Sequence, residues 1–211
     1  MNDNIVFLIA TLKNSGGTQR ILSCLCNLLI DEFNITIMVN DNETPFFNLD
    51  SRVKIIILPI GKGNIIKRNF VIYKVLKHDK SRYYINLDSN SIMLNSLFIP
   101  NFTKIILWEH FSILNNFKKL IFTISRHYAV LRCKKIILLS DFEVIEWGKY
   151  NSVSKIKSEL IYNPLSIVVK DEDRKNKMHL KVFLAIGNHI TVKGFDILLN
   201  AWSKIDTDWK L

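Results

Sequence analysis

The residue types that bind anions or move protons fall in a few short stretches. Ser15-Gly16-Gly17-Thr18-Gln19-Arg20 is the first. Adjacent glycines let a backbone come close to a ligand, and the N–H groups and positive dipole end of a helix opening there favour an anion, above all a phosphate. The stretch is neither the G-x-G-x-x-G fingerprint nor a P-loop, and a tight turn without a ligand is the alternative. Glu109-His110 follows the apolar run Ile105-Ile-Leu-Trp108. An imidazole there can donate to a sugar hydroxyl or a phosphate oxygen, or shuttle a proton; a histidine that caps the next helix is the alternative. Lys193-Gly194 precedes a helical pattern, where a lysine offers a point charge to a diphosphate or simply faces solvent.

Two helical stretches are strongly basic. Lys62, Lys67, Arg68, Lys74, Lys77, Lys80 and Arg82 surround Phe70 and Tyr73, a pattern that suits an anionic bilayer or a solvated face. Lys118, Lys119, Arg126, His127 and Arg132 accompany Phe117, Ile121, Ile124 and Tyr128, whose apolar stripe reads as packing on a sheet.

Apolar runs and helical patterns alternate along the chain and position these residues. Strands are predicted at Asn4–Ala10, Ile35–Val39, Val53–Leu58, Tyr83–Leu87, Ile105–Trp108, Ile136–Leu139 and Glu159–Tyr162. Helices are predicted at Gly17–Ile30, Ile65–Lys77, Ser91–Leu97, Leu114–Arg132 and Phe142–Tyr150. Continuous apolar strands separated by helices imply a doubly wound, Rossmann-like parallel sheet covered on both faces. Ligands of such sheets bind beyond the carboxyl ends of the strands, which directs attention to Thr11–Arg20, Glu109–Ser112 and Ser140–Asp141.

Residues 1–167 read as one domain of this kind and 168–179, rich in charge, as a linker. Lys181–Gly187 then reads as a buried strand and Ile197–Trp202 as a helix, so 180–211 forms the first βα unit of a second, incomplete Rossmann-like domain. A cleft between two domains is the expected setting for a ligand.

At 211 residues, 48% hydrophobic and 23% charged, the chain has the composition of a soluble globular protein. Its net charge of +10 favours an anionic partner: a membrane surface, a nucleic acid or a phosphorylated substrate. No stretch approaches the roughly 18 apolar residues that cross a bilayer, and the start, Met1-Asn-Asp-Asn4, lacks the basic region of a signal peptide. Cys24, Cys26 and Cys133 lie in apolar periodic segments and read as reduced, buried thiols of a cytoplasmic protein, without a metal-binding spacing.

The order of these segments resembles the family 4 glycosyltransferases of the GT-B class. The resemblance rests on Gly16-Gly17-Thr18-Gln19-Arg20, Glu109-His110, the strand ending at Ser140, Ile161-Tyr-Asn163-Pro164-Leu165, and Gly187-Asn188 leading to Lys193-Gly194-Phe195-Asp196 with the helix Leu198–Trp202. It implies an enzyme that moves a sugar from a nucleotide sugar, its donor substrate, to an acceptor with retention of anomeric configuration, with no metal and no separate cofactor. Gly16 and Gly17 would lie by the donor diphosphate, His110 would approach the transferred sugar, and Lys193 would offset the charge of the leaving diphosphate. Ser15, Thr18 and Glu109 are acceptor-side candidates. Asn188 stands where the family carries arginine, with His189 as a weaker substitute. The family's paired glutamates that hold the donor lie beyond the sequence at hand, so weak donor binding is expected.

The resemblance also implies bacterial surface-polysaccharide assembly, such as lipopolysaccharide or O antigen. The acceptor would be a lipid-linked saccharide, and the protein would sit peripherally on the cytoplasmic face of the membrane. A non-catalytic remnant, or the acceptor-binding half of a split enzyme completed by a donor-domain polypeptide, is the alternative. Nucleic-acid binding is disfavoured, because no recognition motif accompanies the charge.

Overall fold

A computed structural model of the chain describes residues 3–42, 44–59, 64–114, 120–165, 181–187 and 193–211. Two compact units emerge, Met1–Ser166 and Ile167–Leu211. The predicted linker at 168–179 lies outside the described residues.

The first unit is built on seven strands: β1 (Asn4–Ile9), β2 (Asn34–Val39), β3 (Lys54–Ile57), β4 (Tyr83–Asn86), β5 (Lys104–Trp108), β6 (Lys135–Leu138) and β7 (Ser158–Leu160). All pair in parallel, in the order β3-β2-β1-β4-β5-β6-β7. The chain winds outward from β1 to β3, returns to β4 beside β1, and then winds the other way. The boundary between β1 and β4 is therefore the topological switch point, where a crevice opens beyond the carboxyl ends.

Side-chain alternation along the strands splits the core into two layers. Ile5, Phe7 and Ile9 of β1 join Ile21, Leu22 and Cys26 of α1 (Gly17–Leu29) on one face. Val6 and Leu8 face the other way, where Ile72 and Leu76 of α2 (Ile65–His78), Ile92 of α3 (Ser89–Asn95), Ala129 and Val130 of α4 (Leu120–Arg132) and Trp147 of α5 (Asp141–Tyr150) close the second layer. Both faces being covered explains why the strands read as unbroken apolar runs.

Three local differences from expectation have physical causes. The long helix predicted from Leu114 is described from Leu120; Leu114 lies in a turn, and 115–119, with Phe117, Lys118 and Lys119, lie outside the described residues. A short helix, α6 (Ser152–Lys157), was not legible. It has no apolar period of its own and is nucleated by Asn151, whose side chain accepts the N–H of Val153, while Ser154 is buried against α5 through a bond to Trp147 O. Lys181–Gly187 is exposed rather than a buried strand. Only Val182 pairs, in a parallel bridge to Lys210, and Phe183 N–H donates to Lys210 O at 2.8 Å.

The described residues of the second unit thus amount to one bridge and the helix α7 (Phe195–Trp202), with Phe183 stacked edge-on against Trp202 at 5.2 Å. One bridge and one helix cannot enclose a core, and Leu184 and Ile186 remain 81% and 82% exposed.

Candidate functional site

The glycine stretch lies where β1 hands over to α1, at the switch point. Arg20 N–H closes the first helical bond to Gly16 O at 3.1 Å. Gly16 caps the helix in extended backbone with no side-chain hydrogen bond, and no acidic residue occupies the first turn. Gly16 has no side chain with which to close the first N–H groups of α1, and the helix dipole adds positive potential there. Gln19 ties the loop back to β1 by donating to Thr11 O at 3.2 Å. A Cβ at Gly17 would meet no protein atom within 4 Å, so the open space beside this backbone suits a ligand as well as solvent. Ser15 is exposed at the entrance and Thr18 half-buried in the first turn.

β5 delivers Glu109 and His110 to the same carboxyl edge. β5 stands two strands from β1, roughly 10 Å at ordinary strand spacing. Strand alternation turns the pair apart. Trp108 belongs to the α1-side layer, and the His110 ring stacks on it with centroids 4.6 Å apart. Burial pushes the imidazole down to about pKa 4, so His110 is neutral at physiological pH and can offer a single N–H or lone pair. Its Nε2 and Trp108 Nε1 are buried without a hydrogen-bond partner, and such atoms mark the capacity to receive an additional polar group.

Glu109 is only 4% exposed. Burial pushes its carboxyl up to about 7, with Asp88 raising it further and Ser89, Phe111 N–H and Arg126 drawing it down. Its Oε1 accepts the Phe111 N–H at 3.1 Å. The segment after His110 is thus pinned near its start, and Glu143 of α5 pins it again by accepting the Ile113 N–H at 3.0 Å.

The structure adds residues that the sequence reading passed over. Asp88 lies two residues beyond β4 at the switch point, and its Oδ1 accepts the Asn90 N–H at 2.8 Å to cap α3. Burial raises its pKa as well, opposed by the Asn90 bond and by the charge of Arg126. Arg126, read from sequence as part of a basic helix face, is buried. It supplies the positive charge felt by both Asp88 and Glu109. The rule that drew attention to Glu109, polar residues at strand carboxyl ends, applies equally to Asp88; nothing in the local pattern distinguished Arg126 from its solvated neighbours. Ser140 caps α5, its hydroxyl accepting the Glu143 N–H at 3.3 Å, which gives that predicted loop a structural role.

In the second unit Lys193 is exposed and stands at the left-handed turn of Gly194, φ +69°. A Cβ at Gly187 would fall 2.9 Å from Lys193 Cγ and 3.2 Å from Phe195, so glycine lets the chain pass beneath the lysine stem. Asn188 and His189 lie outside the described residues.

No protein-family model matches the sequence. The chain is 28% identical over 216 residues to an uncharacterized glycosyltransferase of Haemophilus influenzae, covering 98% of this chain and 60% of that protein. Among solved structures it is similar to Anabaena HepE in complex with UDP and glucose, with a TM-score of 0.67 at 12% identity over 98% of this chain and 59% of that one. It is likewise similar to the lipopolysaccharide outer core galactosyltransferase WaaB in its apo form, with a TM-score of 0.64 at 14% identity over 98% of this chain and 59% of that one. The chain therefore spans about three-fifths of the length of the relatives it matches. What these likenesses show is the fold: the Rossmann-like parallel sheet and covering helices of GT-B glycosyltransferases.

Proposed function

We propose that this chain carries the acceptor-side domain and the opening unit of the donor-side domain of a retaining family 4 glycosyltransferase. It moves a sugar from a nucleotide donor, with UDP as the nucleotide in view of its neighbours, to a lipid-linked saccharide in bacterial surface-polysaccharide assembly. The observation that carries this reading is the start of α1, without a side-chain cap from Gly16, at the switch point, with Gly16 and Gly17 on one side and the neutral His110 two strands away.

In this mechanism the bond between the sugar C1 and the diphosphate oxygen breaks, and the acceptor oxygen takes its place on the same face. The acceptor proton leaves with the diphosphate. Gly16 and Gly17 present backbone N–H groups to a diphosphate, and Lys193, exposed at the start of α7, is a cation of the kind that offsets the charge growing on a leaving diphosphate. His110, being neutral, hydrogen-bonds an oxygen of the transferred sugar without adding charge. Ser15, Thr18 and Glu109 serve the acceptor side, Glu109 by holding the segment that follows His110.

Peripheral attachment to the cytoplasmic face of the membrane is part of the proposal. Among the described residues no helix is long and apolar enough to cross a membrane. α2 instead exposes Ile66 and Phe70 beside Lys67 and Lys74, with Lys74 Nζ 4.5 Å from the Phe70 ring centroid, a combination that suits an anionic interface.

Titration of the purified chain with a panel of nucleotide sugars, read by thermal shift and by calorimetry, tests the reading. A UDP-sugar is expected to bind weakly, and His110→Ala to weaken it further. Absence of binding by every nucleotide sugar, alone and with a supplied donor-domain polypeptide, would sink it. The second arm matters because the exposed Leu184, Ile186 and Ile197 of the second unit favour an alternative, an acceptor-binding half completed by another polypeptide. Binding or transfer only in that arm would select the split form.

A further inference from the structure

At the amino ends of the strands, the edge of the sheet opposite the candidate site, the loops leading into β5, β6 and β7 line an open cavity of about 650 Å³. Its walls carry Lys104, Arg132, Lys134, Lys135 and Lys157. Helices end at this edge, and cations complement their carbonyls: Arg132 lies in the last turn of α4, and Lys157 donates to Val130 O and to Leu131 O at the same helix end. Lys135 pairs with Glu159. Lys104, Arg132 and Lys134 are exposed and have no carboxylate partner among the described residues. Lys104 rests over the Tyr83 ring, 5.4 Å from its centroid.

The same loops expose large apolar side chains. Ile156 lines the cavity at 80% exposure, Leu131 precedes Arg132 at 76%, and Phe98 and Phe102 flank the lining residues Ile99 and Asn101. A soluble phosphate compound would need the cations and not these side chains, and a nucleic acid would leave isoleucine and leucine in water. Cations around a cavity with apolar residues at its rim match one partner, the headgroup region of an anionic bilayer.

We propose that this amino-edge cavity seats the phosphate of an anionic lipid while Phe98, Phe102, Leu131 and Ile156 enter the interface, a membrane contact separate from α2. The proposal adds a second surface to the membrane attachment proposed above, and its test is separate from that of sugar transfer, since the probe is a vesicle and no nucleotide is involved.

Flotation with vesicles of phosphatidylcholine, with and without phosphatidylglycerol, tests it at low and high salt. The chain is expected to float with the anionic vesicles at low salt only. Lys104→Glu with Lys134→Glu should weaken partitioning at least about tenfold, given the worth of each basic residue near such a surface. Ile156→Ser should weaken it at low salt, and circular dichroism should show both variants folded. Charge reversal on α2, at Lys67 and Lys74, should leave the effect of the amino-edge variants in place. The proposal is overturned if the folded double variant floats like the parent, if α2 reversal alone abolishes flotation, if inorganic phosphate displaces the chain from vesicles at an ionic strength where chloride does not, or if a random DNA duplex binds more tightly than the vesicles.

Discussion

Gly17 separates ligand binding from stability. A methyl added there meets no protein atom within 4 Å, and alanine in a first helical turn is worth up to about 1 kcal/mol over glycine. Gly17→Ala is thus expected to hold or raise Tm. If a diphosphate lies against this backbone, the methyl takes its space, and affinity for a nucleotide sugar falls about tenfold, or about 1.4 kcal/mol. Calorimetry beside thermal denaturation reads both effects, and unchanged affinity would remove the glycine loop from the site.

Glu109 and His110 give opposite pH dependences. The Glu109 carboxyl rises from 4.5 to about 7 on burial, so the folded chain holds the proton more tightly. Its contribution is full below pH 4.5 and is lost as pH rises through 7, on the order of 3 kcal/mol. The His110 imidazole falls from 6.5 to about 4; its contribution is full above pH 6.5 and is lost as pH falls through 4. Glu109→Gln is expected to match the parent Tm at pH 5 and exceed it at pH 8, whereas a variant that loses Tm as steeply as the parent would assign the alkaline loss to another group.

At the scale of elements, the join between α5 and the segment after β5 shows how a cap can serve a site. Ser140 and Glu143 have the spacing of a capping box, in which the glutamate folds back on its own helix start. Here Glu143 reaches across to the Ile113 N–H instead. Ser140→Ala should cost about 1 kcal/mol in urea denaturation and leave ligand binding alone. Glu143→Ala should cost a similar amount and also weaken nucleotide-sugar binding, because it frees the segment behind His110. Equal binding in the two variants would disconnect that segment from the site.

The strands and most helices were legible because burial on both faces writes itself into apolar runs, as at Asn4–Ile9 and Asn34–Val39, and into helical stripes such as Ile21, Leu22 and Cys26. What escaped depends on tertiary context. α6 exists because Ser154 is held by Trp147 O, and Arg126 differs from its basic neighbours in its burial and in the carboxylates that feel its charge. Glu109 and His110 were found as a pair by position, but their opposite electrostatics follow from strand alternation and from the layer that each enters.

At the scale of the whole molecule, the two units differ in how they hold themselves together. Every residue that the structure buries falls between Ile5 and Ser154, among the described residues, within the first unit. The second unit has its bridge and an aromatic cluster, Phe183 with Trp202 and Trp209, yet leaves Leu184, Ile186, Ile197 and Leu199 exposed. A unit without buried side chains among its described residues adds little to a cooperative transition, since hydrophobic stabilisation follows the apolar area removed from water. A chain ending at Ser166 should therefore unfold within about 3 °C of the full sequence, the shift that roughly 1 kcal/mol makes at this size. It should also bind much less of a dye such as ANS, which reports exposed apolar surface. A larger fall in Tm would mean that the second unit contributes to the core. Equal dye binding would locate the open apolar surface on the first unit, and with it the case for a completing polypeptide would fall.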